Sequence, residues 1–94
     1  MSVSIAKKTQ ARIWARIIDP DHGDLTPAAA KFMLNLDFRP SDRRRVAALN
    51  SRANEGMLTD GERSELEAYI RVGEVLAILQ SKARRSLKKD GRDT

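Results

Sequence analysis

Apolar residues recur along this chain at helical spacing, and no segment shows the strict alternation of a strand. Ile13, Trp14, Ile17 and Ile18 fall at i, i+1, i+4 and i+5, while Lys8, Arg12 and Arg16 form another face, which predicts an amphipathic helix from about Thr9 to Ile18. Asp19 precedes Pro20, and the residue before a proline is held out of helical geometry, so this helix should stop there. The stretch "DPDHGD" then reads as a turn. Thr26 is the expected N-cap of a second helix, with Pro27 at its first position, where a missing N–H costs nothing, and the helix should reach about Leu36. After Pro40, which breaks the chain, Ser41 is the expected cap of a third helix. Asp42 supports its first turn, Val46, Leu49 and Ala53 recur along one side, and Gly56 marks its end.

The sharpest boundary is at Thr59 and Glu62, whose S/T-x-x-E spacing is that of a capping box. It opens a fourth helix predicted from Asp60 to about Lys89, roughly 45 Å long at 1.5 Å per residue. The expected architecture is therefore all-α, a helical bundle of short helices packed along one long C-terminal helix. It forms one domain over 1–94, with flexible ends at 1–8 and 90–94. Leu66, Tyr69, Ile70, Val72, Leu76, Ala77, Leu79, Ala83 and Leu87 cover more than one stripe of the long helix, so one side should pack internally and another needs cover. Gly73, which costs about 1 kcal/mol inside a helix, is expected to mark a close helix crossing.

Size makes external cover plausible. A chain of 94 residues that is 40% hydrophobic and 4% aromatic can build only a modest core, which favours a partner or a second copy of the chain, that is, a homo-oligomer. There is no cysteine, so disulfides and thiolate metal sites are excluded. No apolar run reaches signal-peptide or membrane-spanning length, and the expectation is a soluble cytoplasmic protein without membrane contact.

Charge adds a second theme. The net charge of +5 and pI near 10.1 favour acidic partners, nucleic acid first. Yet six carboxylates (Glu55, Asp60, Glu62, Glu65, Glu67, Glu74) lie between residues 55 and 74 against Arg63 and Arg71, so the middle is acidic. The cations gather at Lys7, Lys8, Arg12 and Arg16, at Arg39 and Arg43 to Arg45, and from Lys82 to Lys89.

Candidate chemistry is sparse. Asp19, Asp21 and Asp24 could donate oxygens to calcium, but an EF-hand loop needs glycine at its sixth position and glutamate at its twelfth, where this loop has Asp24 and Ala30. His22 has no second histidine or cysteine with which to share a metal and reads as a solvated loop residue. Glu62, Glu65 and Glu67 are better explained by the dipole of a helix N-terminus than by acid–base work. No phosphate-cradling glycine loop or nucleophile elbow occurs. The sequence thus predicts no enzyme, metal or cofactor. A helix-turn-helix around Gly56 is disfavoured, because the second helix would present Asp60, Glu62 and Glu65 to phosphates.

Two surfaces compete. The apolar face of the long helix around Val72, Val75, Leu76 and Leu79 suits docking to another protein or to a second copy. The basic cluster Lys82, Arg84, Arg85, Lys88 and Lys89, joined by Arg43, Arg44 and Arg45, suits nucleic-acid backbone, without aromatic residues to stack on bases.

The segments "GDLTPAAAKFMLNLDFRPSDRRR", "NEGMLTDGE" and "VGEVLAILQSKARRSL" give the chain a resemblance to a family of short, uncharacterised bacterial helical proteins. That family shares G-D-L-[ST]-P, an L-x-F before an acidic-arginine helix, E-G-x-L-T, and a closing V-G-x-L-L-x-x-L-Q-S-K-A-R. The similarity runs roughly from Trp14 to Leu87. Its members are often encoded beside an HNH-type endonuclease, which implies an accessory or antitoxin-like protein partner of a nuclease and no catalytic residues. On that reading the partner surface comprises Val72, Gly73, Leu76, Leu79, Gln80, Lys82, Ala83 and Arg84. Leu76 and Leu79 would be its anchors, and Gln80, Lys82 and Arg84 would fix register on an acidic rim. The basic run Arg43 to Arg45 departs from the family pattern and keeps nucleic acid as the competing partner.

Overall fold

A computed structural model of the chain describes residues 3–89, with side chains from residue 9 onward, so the ends expected to be flexible, 1–8 and 90–94, and the basic side chains of Lys7 and Lys8 lie outside the described side chains. The protein is all-α, with α1 Val3–Ile18, α2 Pro27–Leu34, α3 Pro40–Asn54 and α4 Asp60–Lys89. It divides into two compact units, Met1–Leu36 with Glu74–Thr94, and Asp37–Gly73. The long C-terminal helix packs against the shorter ones. Its C-terminal half forms one wall of the first unit with α1 and α2, and its N-terminal half pairs with α3 in the second.

In the first unit, α1 starts six residues earlier than the apolar period predicts, because nothing in "SIAKKTQ" opposes a helix and alanine, lysine and glutamine favour one. It ends at Ile18 as Pro20 requires, with Asp19 in the left-handed region at φ 56° and its N–H bonded to Ala15 O at 2.8 Å. Thr26 caps α2 by accepting from Ala29 N–H at 3.2 Å, and Pro27 occupies the first turn. This helix stops at Leu34, two residues short of the expected Leu36, with Asn35 as its C-cap. The core gathers Ala30, Ala83 and Leu87, with Leu25, Met33 and Leu34 packed against them. Alanine faces alanine here, so the elements approach closely but bury little apolar area.

The second unit is a helical hairpin. Its first helix begins at Pro40 with Arg39 as N-cap, not at Ser41, because proline at the first helical position is preset to helical φ and sacrifices no hydrogen bond. At the other end Met57 N–H reaches back to Arg52 O at 2.9 Å and Gly56 N–H to Ala53 O at 3.0 Å, with Gly56 at φ 69°. This is a Schellman termination. The capping box then forms reciprocally, Thr59 N–H to Glu62 Oε1 at 3.0 Å and Glu62 N–H to Thr59 Oγ1 at 3.1 Å. Leu49 is fully buried between the two arms, and Arg45 chelates Glu65 with bonds of 2.7 and 2.8 Å.

Two glycines play opposite parts. A Cβ at Gly23 would lie 2.8 Å from Arg85 O and 2.9 Å from Ser86 N, so the loop before α2 touches the backbone of α4 only because residue 23 has no side chain. At Gly73, expected to mark a close crossing, a Cβ would meet open space. Gly73→Ala should therefore raise stability in urea unfolding by about 0.5–1 kcal/mol, through helix propensity and unfolded-state entropy. Gly23→Ala should lower it by about 1–3 kcal/mol through overpacking against unyielding backbone.

Candidate functional site

The last carbonyls of a helix lack intrahelical partners, and in the first unit side chains of α4 reach several of them. Gln80 Nε2 donates to Leu36 O at 2.8 Å and Met33 O at 3.2 Å, with Leu34 O at 3.5 Å, closing the end of α2. Two residues on, Lys82 Nζ donates to Ile18 O at 2.6 Å and Asp19 O at 3.3 Å, closing the end of α1 with a positive charge, the sign the helix dipole favours there. The same ammonium pairs with Asp24 at 2.9 Å, and its side chain is only 12% exposed. Ser86, fully buried, accepts from Leu25 N–H at 3.1 Å and donates to Lys82 O at 2.8 Å.

This bonding redistributes the residues expected to form a partner surface. Gln80 and Lys82 face inward, and Ala83 is fully buried against the core. Leu76 and Leu79 are half-buried. Val72 is 55% exposed and Gly73 half-buried, and both belong to the other unit. Arg84 is exposed. These eight residues do not make one exposed face, because the closing motif's polar side chains satisfy backbone within the chain.

The basic residues separate likewise. Arg43 bonds Asp37 and Arg45 chelates Glu65, which leaves Arg44 as the exposed member of that run with no carboxylate partner among the described residues. The Arg45 bond holds the Glu65 carboxyl below its usual range, and the Thr59 N–H and Arg52 do the same for Glu62. In the first unit Arg84, Arg85, Lys88 and Lys89 are exposed, and Arg85 meets Asp21 only at 3.7 Å. Of the loop's other metal-directed candidates, Asp19 faces His22 Nδ1 at 3.5 Å and Asp24 is held by Lys82. No group of three such side chains among the described residues is placed to hold a metal ion.

Periodicity did not show that two apolar features stand open to solvent. On α1, the side chains of Ala11, Ala15 and Ile18 are half-buried, whereas Ile13, Trp14 and Ile17 are 41%, 43% and 69% exposed. The larger part of the helix's apolar arc thus faces outward. The signal in the sequence was the pair of alanines one turn apart, which offer the natural contact row for a close neighbour. In the second unit a cleft of about 300 Å³ opens between Phe38, Val46, Leu66, Tyr69 and Ile70, with Arg43 and Asn50 at its polar edge. Phe38 and Tyr69 meet edge to face at 5.9 Å, and the Tyr69 hydroxyl donates to Asp42 at 2.7 Å, which pushes its pKa up and makes it a poor acid.

No helix among the described residues is long and apolar enough to cross a membrane. Compared with family models, curated proteins and solved structures, the chain matches none.

Lys82→Met should keep the stem but remove three polar contacts, costing about 2–3 kcal/mol in denaturant unfolding. Acid should weaken the same joint. Lys82, chiefly by hydrogen bonding, holds the Asp24 carboxyl below its ordinary 3.8. Its contribution is therefore complete above that value and is lost as pH falls through the depressed folded-state pKa. Asp24→Asn should flatten the acid limb of the unfolding midpoint below about pH 5. An unchanged limb would show that the pair does not contribute.

Proposed function

We propose that this protein is a non-enzymatic helical interaction module that binds another protein through α1. The observation that supports this reading is the outward arc of Ile13, Trp14 and Ile17 on a helix whose sequence holds Lys7, Lys8, Arg12 and Arg16 and no carboxylate. Exposed tryptophan and isoleucine beside arginine are the composition of an interface anchor, and a helix sequence with cations and no carboxylate favours a groove with a carboxylate rim. The partner is then an apolar groove bordered by aspartate and glutamate. The resemblance stated above makes a neighbouring HNH-type nuclease the first candidate, with this chain as its cytoplasmic accessory or antitoxin-like companion. The half-buried Leu76 and Leu79 support α1 in this account by completing the unit that presents it, and the LQSKAR segment acts from inside.

The test is co-expression of the tagged chain with the nuclease encoded beside it, followed by affinity measurement on the purified pair. Trp14→Ala and Ile17→Asp should each weaken the complex by about 30-fold or more, the loss typical of a hot-spot residue, with unchanged circular dichroism. Arg12→Glu with Arg16→Glu should chiefly slow association and reduce its salt dependence. Full retention of the nuclease by the Trp14 and Ile17 variants would move the interface off α1. A wild-type chain that shows no affinity for the nuclease, or that instead pairs with itself through α1, would remove the nuclease from the reading.

A further inference from the structure

The outer face of α4 in the first unit has a chemistry unlike that of α1. Ser81, Arg84, Arg85 and Lys88, at i, i+3, i+4 and i+7, share one side of the helix and line a shallow concavity of about 250 Å³. Arg84 and Lys88 have no carboxylate partner among the described residues, and Arg85 has only the 3.7 Å approach of Asp21, itself 91% exposed. Three cations and a hydroxyl thus stand together without a built-in counterion at hydrogen-bond distance and with no apolar side chain among them. Four cations elsewhere are engaged internally, Lys82 on the end of α1, Arg45 on Glu65, Arg43 on Asp37 and Arg52 on Glu62, and Arg44 in the second unit has no carboxylate partner among the described residues.

We propose that this face is a phosphate-binding strip that seats on the backbone of double-stranded nucleic acid without reading its sequence. Guanidinium groups match phosphate oxygens bidentately, and an ammonium and a hydroxyl add donors. From Ser81 to Lys88 the strip runs about 10 Å, at 1.5 Å per residue, and carries three cations, so it can neutralise about three phosphates of a duplex whose two strands together place one charge per about 1.7 Å of axis. A membrane surface fits less well, because interfacial helices lay an apolar face among the lipids, and this face has none. Single-stranded bases fit less well too, because no aromatic ring lines the strip to stack on them. The inference is independent of the α1 reading, since the two surfaces share no residue.

Fluorescence anisotropy of a labelled 20-base-pair duplex titrated with the full chain, repeated across salt concentrations, tests it. Three neutralised phosphates give a log–log slope of about −2.7, which is about a 40-fold loss of affinity between 50 and 200 mM salt. Arg84→Gln should reduce the slope by about 0.9, and the triple change R84Q/R85Q/K88Q should bring it close to zero. Arg44→Gln, in the other unit, should leave it unaltered. Wild-type binding with an unchanged slope in the triple variant would overturn the proposal. So would the absence of duplex binding at low salt, or binding to vesicles containing phosphatidylserine without binding to the duplex. Circular dichroism of each variant, unchanged from the wild type across the salt series, separates loss of the strip from loss of the fold.

Discussion

The last carbonyls of a helix must find donors, and in the first unit of this protein a single stretch of α4 supplies the side-chain donors that local backbone N–H groups do not. Gln80 closes α2, Lys82 closes α1, and Ser86 holds the loop that joins them. A buried or half-buried helix end without partners costs as much as several ordinary contacts contribute elsewhere, so these three side chains fix how α1 and α2 lie on α4. The apolar core around them is small. Ala30 against Ala83, with Leu87 and a few half-buried neighbours, excludes water and permits close approach, but does not by itself dictate one arrangement. Polar side chains that each recognise a helix terminus supply that specificity.

The loop 19–26 is the counterpart of this stretch. Gly23 lets the backbone touch α4, Asp24 takes the charge of Lys82, the Leu25 N–H reaches Ser86, and Thr26 starts the next helix. Gly23, Asp24 and Leu25 each meet α4 and Thr26 starts α2 beside them, so this segment and "QSKARRS" are two halves of one joint. That accounts physically for two of the most distinctive stretches of the sequence without any partner. It also explains why a positively charged residue could sit in the middle of an apparent docking motif and contribute nothing to the surface.

With α4 turned inward at Gln80, Lys82 and Ala83, the surfaces left for recognition are those that the joint does not use. On α1, alanines make the contact row and the bulky apolar side chains remain outside. On α4, the residues one turn away from the joint are cationic. The second unit matches several of its charges in pairs, Arg43 with Asp37, Arg45 with Glu65 and Arg52 with Glu62. Exposed pairs of this kind add little stability, but they cancel the field that the run Arg43 to Arg45 would otherwise project.

The sequence by itself determined the helical class, the stop at Asp19 before Pro20, the Thr26 cap, the turn at Gly56 and the capping box at Thr59 and Glu62. Each of these is a local effect of backbone sterics or of a side chain bonding three residues away, and period and spacing suffice to read it. Smaller boundary differences were local too, as at Pro40, where proline at the first helical position moved the cap from the expected Ser41 to Arg39. Only the tertiary structure decided which side of each helix faces inward and which charges are already matched. Lys82 and Arg84 are chemically alike in sequence, yet one lies against the end of α1 and the other faces water, because the carbonyls of Ile18 and Asp19 stand beside one azimuth of α4 and not the other. The fate of Gly73, open where a crossing was expected, has the same cause: no local rule says what stands across from a residue more than forty positions away.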